Sequence, residues 1–157
     1  MPILSDFTII FDGSNEPFRP NESRDELGGR VTSDGRTIEF PFQTGGRHDS
    51  DAYIDLTLSP RDARPGDDFM NLAVQIAQVR SGLQGTRKNL VLTRKPSDDS
   101  GQRNGLQRYL VVIQPGELSG RSEQDNMLIL RPVWEPAVSP SDSLLIGPII
   151  CHFHQKS

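Results

Sequence analysis

The sequence predicts a mainly β fold, a β-sandwich or barrel of about eight strands with one amphipathic helix at about residues 68–83. Most hydrophobic runs are short, rich in β-branched or aromatic residues, and followed by Gly, Pro, Asn or Asp, which is typical of strands. Residues 68–83 differ because apolar side chains recur there at alternating spacings of three and four, which places them on one face of a helix. These apolar residues are Phe69, Leu72, Ile76, Val79 and Leu83.

The composition fits one β-rich domain over residues 1–157, in which residues from about 139 either join the sandwich or form a C-terminal extension. A chain of 157 residues buries roughly 70% of its unfolded surface, enough for a core without metal or disulfide. The net charge is −4, from 17 basic and 21 acidic residues, and the arginines are scattered. We therefore expect no direct binding to nucleic acid, which usually requires a basic stripe or arm.

The single cysteine, Cys151, rules out an internal disulfide and favours a reducing compartment or a particle assembled in the cytosol. The N-terminal residues lack the basic segment and apolar run of a signal peptide. No stretch approaches the roughly 20 apolar residues of a membrane span. We expect a virion or cytoplasmic location, no secretion through a signal peptide, and no membrane partner.

The first strand is predicted at residues 7–11, with Phe7, Ile9 and Phe11 on one face and Ile10 on the other. Because both faces are partly apolar, the strand should lie inside a sheet rather than at its edge. Residues 12–30 are polar and rich in Pro and Gly, which predicts a long surface loop used in binding or assembly.

A hairpin is predicted around Asp34-Gly35, because both central residues of a tight hairpin turn must accept positive φ. The return strand, residues 37–42, alternates between polar and apolar side chains. Pro41 lies within it and has no N–H to donate, so this strand is predicted at a sheet edge or a bulge.

The following segments are a strand at residues 53–58, with Ile54 and Leu56 facing inward, and then the helix. Asp67 is the expected N-cap, and Gly82 or Gly85 the end of the helix. Part of the helical segment also alternates, at Leu72, Val74 and Ile76. A strand is therefore the alternative for these residues.

The remaining strands are predicted at residues 89–93, 106–113, 127–134 and 144–153, the last interrupted by Gly147-Pro148. Residues 109–113 are apolar on both faces, which predicts another interior strand.

Histidines supply the candidate metal ligands. His152 and His154 are two residues apart, so in a strand both rings project from one face, where His48 or a carboxylate would complete a zinc site. The alternative is the solvent face of a strand whose other face carries Ile149, Cys151 and Phe153. No third ligand has sequence support, so we predict no metal and no cofactor.

No catalytic residue is predicted, and we expect that the protein is not an enzyme. Cys151 and His152 are adjacent and would point to opposite faces of a strand, so Cys151 fits a small buried hydrophobe. Trp134 and Tyr109 are residue types that stack on sugars, but core packing is the favoured interpretation of both.

The element order in residues 52–134 resembles that of tube proteins from phage tails and contractile secretion systems. In that family a strand leads into a short helix, a long hairpin and a closing strand, here residues 53–58, 68–83, 89–113 and 127–134. The resemblance implies self-assembly into rings. The interface candidates are Pro41, on an edge that a neighbour could pair, Arg19 and Arg24 in the 12–30 loop, and Trp134.

Two functional hypotheses follow. The first is a non-catalytic, self-associating structural subunit of a phage or phage-like particle, such as a tail-tube, decoration or joining protein. The alternative is a monomeric β-sandwich module that binds a carbohydrate or another small ligand, and it predicts an exposed aromatic platform that includes Trp134. A metal-dependent hydrolase that uses the histidines is a third.

Overall fold

The computed structural model describes residues 3–13, 18, 25–26, 29–31, 37–44, 52–61, 69–93, 106–114, 116–119, 125–132 and 143–156. These residues form eleven strands and no helix, so the mainly β class is confirmed. The strands are β1 (Ile3–Phe11), β2 (Asp25–Glu26), β3 (Gly29–Val31), β4 (Ile38–Phe42), β5 (Ala52–Arg61), β6 (Phe69–Gln78), β7 (Lys88–Thr93), β8 (Gln107–Ile113), β9 (Asn126–Pro132), β10 (Ser143–Ile146) and β11 (Ile149–Lys156).

The strands form two antiparallel sheets. Sheet A has the order β1-β11-β5-β8, and β10 pairs with β5 beyond the end of β11. Sheet B has the order β2-β3-β4-β9-β6-β7. The segment considered as a C-terminal extension supplies β10 and β11, and β11 lies between β1 and β5 in sheet A.

One hydrophobic core lies between the sheets, which makes the fold a β-sandwich. In β4 and β5 apolar side chains at every second position are fully or almost fully buried, as predicted, and they face the core. These side chains are Ile38, Phe40, Phe42, Ile54, Leu56 and Leu58. The predicted hairpin partners also pair, with Val31 opposite Ile38, although Asp34-Gly35 lies outside the described residues.

The predicted helix at 68–83 is wrong, because residues 69–78 form β6. The buried side chains of β6 follow a period of two, from Met70 through Leu72 and Val74 to Ile76. Val79 and Leu83, which belonged to the predicted helical face, are exposed. Hydrogen-bonded partners on both sides, β9 and β7, satisfy the backbone of β6 as a strand, and this arrangement buries every second residue.

Two strands predicted inside a sheet lie at its edges. Among the described strands, β1 pairs only with β11, and β8 pairs only with β5. A bulge between Ile9 and Phe11 changes the alternation of β1, so Ile10 and Phe11 are both buried. Phe7 and Ile9 are left on the outer face. These edge strands therefore carry apolar residues on both faces because the outer face of their sheet is itself apolar, and not because they lie inside the sheet.

The 12–30 segment is more than a surface loop. Phe18 is completely buried and its backbone pairs with Leu144 of β10, while residues 25–26 and 29–30 belong to β2 and β3. The strand with Pro41 also differs from the prediction, since β4 lies between β3 and β9. Pro41 is opposite Met127 of β9, and the described pairing with β3 covers only residues 38 and 39. The proline is thus placed where one neighbouring strand has ended.

A buried carboxylate connects the sheets at one end of the sandwich. Glu117, after β8, accepts hydrogen bonds from the backbone N–H of Thr86 at 2.6 Å and of Gln114 at 2.7 Å. Lys88, at the start of β7, places its Nζ 3.4 Å from Oε2 of Glu117. Burial alone would raise the pKa of Glu117, but the two N–H groups and Lys88 together lower it. The ionised carboxylate therefore stabilises the folded state.

Candidate functional site

The outer face of sheet A is apolar and aromatic, and we call it the platform face. It is defined by nine described residues that point away from the core: Phe7, Ile9, Tyr53, Asp55, Arg108, Leu110, Val112, Ile150 and His152. Four strands contribute to it, and their register sets which side chains are neighbours, because residues directly opposite each other share a face.

The first row of the platform face carries the aromatic side chains. Phe7 is opposite His152, His152 is opposite Tyr53, and Tyr53 is opposite Val112. The rings of Tyr53 and His152 are stacked, with centroids 4.6 Å apart and planes at 17°. The ring of Phe7 is 6.4 Å from that of His152 and tilted by 40°. Phe7 is 58% exposed and Tyr53 38%, so the row presents aromatic surface to solvent.

The second row is aliphatic at its ends and acidic in the middle. Ile9 is opposite Ile150, Ile150 is opposite Asp55, and Asp55 is opposite Leu110. Ile9 and Leu110 are more than half exposed, although each lies on a strand whose inner face fills the core. Exposed apolar groups that form a continuous patch commonly mark a binding surface.

An ion pair supplies the charged groups of the platform face. Arg108 donates from Nε to Asp55 Oδ1 at 2.9 Å and from Nη2 to Oδ2 at 2.7 Å. The Asp55 side chain is nearly buried, whereas that of Arg108 is 65% exposed. The hydrogen bond and the charge of Asp55 raise the pKa of Arg108 further above its ordinary value. The two parallel bonds hold the guanidinium in a fixed plane beside the aromatic row.

Of the three candidate metal ligands, the structure describes the side chain of His152 alone. His152 is half-buried against Tyr53, and the backbone of His154 pairs with Ser5, but the His154 side chain and all of His48 lie outside the described residues. Among described side chains, no group of three His, Cys, Asp or Glu is placed to hold a metal ion.

Cys151 is completely buried on the core side of β11, as the alternation predicted, together with Ile149 and Phe153. Burial raises the pKa of its thiol to about 12, so the thiolate is not available at neutral pH. Tyr109 packs partly against the core, and its hydroxyl contacts Gln107.

Three interface candidates, Arg19, Arg24 and Trp134, lie outside the described residues. Pro41 is half-buried on the outer face of sheet B and is therefore remote from the platform face in the fold. Within the described residues there is also no helix long and apolar enough to cross a membrane.

Sequence reasoning missed the platform face because its rows join four strands that are distant along the chain. The signal was the presence of apolar residues on both faces of 7–11 and 109–113. Tyr53 had no such signal, since one tyrosine before an alternating run is typical of any strand.

No family model matches the chain, and no curated protein matches it. Solved structures share its fold. The xylan-binding module CBM15 matches over 99% of this chain and 100% of its own length, with 11% identity and a TM-score of 0.54. Dimeric latent PorU from Porphyromonas gingivalis matches over 99% of this chain with 11% identity and a TM-score of 0.50, but the chain spans 13% of PorU.

A chain of the T13 IBDV viral particle matches over 98% of this chain and 31% of its own length, with 11% identity and a TM-score of 0.47. At these identities the likeness concerns the fold alone. The fold is a β-sandwich that proteins of different function share.

Proposed function

We propose that this chain is a non-catalytic carbohydrate-binding module and that a polysaccharide lies across its platform face. The observation that carries the proposal is the row of rings formed by Phe7, His152 and Tyr53, of which Phe7 and Tyr53 are exposed. Sugar rings combine an apolar C–H face with hydroxyl groups at the edge. They therefore match a surface on which exposed aromatic rings lie beside hydrogen-bonding side chains.

The dimensions of the row support this ligand class. From β1 to β8 the row crosses three strand spacings, roughly 14 Å at about 4.8 Å each. A short oligosaccharide covers such a length, whereas a stable protein–protein interface needs about 800 Å² on each partner. The likeness to CBM15 agrees with the proposal in size and fold, since that module is a xylan-binding one and is matched over its whole length.

Calorimetric titration with neutral xylo- and cello-oligosaccharides tests the proposal. Wild-type protein should bind at least one of these series. Tyr53→Ala should weaken that binding roughly tenfold, about 1.4 kcal/mol, because it removes the exposed ring that stacks on His152. The absence of binding to any neutral oligosaccharide or polysaccharide in such a panel would contradict the proposal.

A matched pair of valines provides the control for this experiment. Val112 on the platform face is 49% exposed, and Val91 on the outer face of sheet B is 57% exposed. Val112→Ala should weaken binding a few-fold, and Val91→Ala should leave it unchanged. Equal effects of the two substitutions would mean that the ligand does not distinguish the faces.

The second candidate function is assembly with copies of this chain or with other subunits of a particle, including a virion. The aliphatic part of the platform face favours it, because Ile9, Leu110 and Val112 are about half exposed and suit a protein contact. The likeness to tube proteins was based on an element order that includes a helix at 68–83, and this segment is a strand.

Light scattering with electron micrographs of the same fractions separates the two functions. The carbohydrate proposal predicts a monomer of about 17.5 kDa at high concentration. Rings, tubes or a defined oligomer that Leu110→Ser disrupts would instead favour assembly through the platform face.

A further inference from the structure

We propose that Arg108 binds the carboxylate of a uronic acid substituent, so that the platform face prefers an acidic polysaccharide to its uncharged counterpart. This inference rests on the proposed carbohydrate-binding function and names its substrate class. The Asp55–Arg108 pair turns its cation towards solvent and its anion towards the protein, because the side chain of Arg108 is 65% exposed and that of Asp55 only 12%. A ligand on this part of the face therefore meets the guanidinium first.

Asp55 occupies only one of the two edges of the guanidinium that can bind a carboxylate. It accepts hydrogen bonds from Nε at 2.9 Å and from Nη2 at 2.7 Å. One N–H of Nη2 and both N–H groups of Nη1 remain, and within the described residues they have no protein acceptor. The second edge, formed by Nη1 and Nη2, thus offers two parallel N–H groups, the geometry that pairs with both oxygens of a carboxylate.

The bonds to Asp55 also hold this free edge in place. Asp55 lies within the apolar surface, between Ile150 and Leu110 in the second row. Its two bonds fix the plane of the guanidinium before a ligand is present. An arginine that is already held in one plane loses less conformational entropy when it binds a ligand.

The guanidinium is within reach of a sugar that stacks on Tyr53. Tyr53 and Asp55 are two residues apart on β5, roughly 7 Å along the strand. Arg108 is opposite Thr57 and reaches diagonally to Asp55, so its guanidinium lies near the second row. A substituent on the stacked sugar or on the next sugar of the chain can therefore contact Arg108.

The electrostatics favour a bound carboxylate despite the charge of Asp55. On the free edge the carboxylate would contact the guanidinium directly, whereas Asp55 is on the adjacent edge and farther away. Because the Coulomb energy falls with distance, the attraction exceeds the repulsion. Among the nine residues that define the platform face, Asp55 is the only Asp or Glu. The net charge of −4 adds little repulsion, since exposed charges beyond about 8 Å are largely screened at physiological ionic strength.

The test compares three ligands that share the backbone of the neutral oligosaccharide that binds most tightly. The first is unsubstituted, the second carries a glucuronic acid, and the third carries the methyl ester of that acid. The ester lacks the charge of the acid and differs from it by one methyl group, so the comparison isolates the carboxylate. In calorimetric titration, wild-type protein should bind the acid about fivefold more tightly than the ester, the gain expected of an exposed bidentate ion pair.

Arg108→Gln removes the cation together with its free edge, and it should abolish the preference for the acid. Arg87→Gln is the matched control, because Arg87 is also exposed and lies just before β7 of sheet B. It changes the net charge by the same amount and should leave the preference at about fivefold. Equal loss of preference in the two variants would mean that the net charge sets it, and would overturn the role of Arg108.

Arg108→Lys is the second variant, because Arg108→Gln leaves the nearly buried Asp55 without a partner. Lysine keeps a cation beside Asp55 but has no planar fork. The preference for the acid should fall to about twofold. An unchanged preference in this variant would overturn the role of the free edge.

The outcomes separate this inference from the proposed function. If wild-type protein binds the unsubstituted ligand and Tyr53→Ala weakens that binding, but the acid binds no more tightly than the ester, only the role of Arg108 is overturned. If wild-type protein binds neither the neutral oligosaccharides nor the substituted ligands, both proposals are overturned.

Discussion

The two outer faces of the sandwich differ in chemistry, although each covers an inner face of the same kind. Sheet B alternates outward-facing polar residues such as Glu39 and Gln75 with half-buried apolar ones such as Met127 and Ile129, and Val91 is the only large apolar side chain exposed on its described strands. Sheet A points outward the aromatic and aliphatic residues of the platform face. An antiparallel sheet commonly turns polar residues to water on its outer face, whereas the exposed large apolar side chains of the described strands are concentrated on the outer face of sheet A.

The inner faces of the two sheets stabilise the fold, whereas the outer face of sheet A is available to bind a ligand or partner. The core between the sheets is filled by residues of their inner faces, and the platform residues lie outside it. Their apolar surface therefore adds little to folding, and a bound ligand or partner that covers it would account for its presence.

The largest expected effect is on the free energy of unfolding, and two leucine substitutions compare the inner and outer faces of sheet A. Leu56 on β5 faces the core and is fully buried, whereas Leu110 on the neighbouring strand β8 faces outward and is 57% exposed. Leu56→Ala should lower the free energy of unfolding by about 2–5 kcal/mol, and Leu110→Ala by less than about 1 kcal/mol. Urea denaturation measures both. Similar losses in the two variants would mean that the platform face is part of the folding core.

A smaller effect is expected for Glu117, whose polar contacts stabilise the fold rather than bind a ligand. Glu117→Gln should cost about 1–3 kcal/mol at neutral pH, because a charged acceptor of two backbone N–H groups is lost. It should leave glycan binding unchanged, in contrast to Tyr53→Ala.

The stabilisation that Glu117 contributes should depend on pH and should be lost in acid. The folded pKa is lowered from 4.5, so the stabilisation is complete above 4.5 and is lost as the pH falls through the folded pKa. Wild-type protein should lose this stability in acid, and Glu117→Gln should show a shallower loss in the same range. Denaturation curves at several pH values measure the difference. Parallel pH profiles would contradict the role assigned to this carboxylate.

Local alternation allowed most strands to be predicted from the sequence. In residues 38–42 and 53–58 the polar and apolar positions alternate without a competing pattern, and the structure has strands with the expected inner faces. In residues 69–78 both a helical spacing and an alternation are present. The neighbouring strands β7 and β9 decide between them, and no local pattern contains that information.

The candidate site was less accessible to prediction, because it depends on strand order. Phe7 and His152 are 145 positions apart in the sequence and face each other only because β1 pairs with β11. The bulge after Ile9, which fixes the outward face of β1, has no Gly or Pro to indicate it. The alternation placed His152 on the outer face of its strand, but the pattern could not show that Phe7 and Tyr53 are its neighbours there.

The most direct test of the central claim is to map a bound oligosaccharide on the two outer faces by NMR. Isotope-labelled protein is titrated with the neutral xylo- or cello-oligosaccharide that binds most tightly, and backbone amide shifts are followed residue by residue. We expect the largest changes at Phe7, Tyr53, Val112 and His152 of sheet A, and none at Asn71, Asn89 and Val91 of sheet B. Changes centred on sheet B, or no changes at a saturating concentration, would contradict the assignment of the platform face as the binding surface.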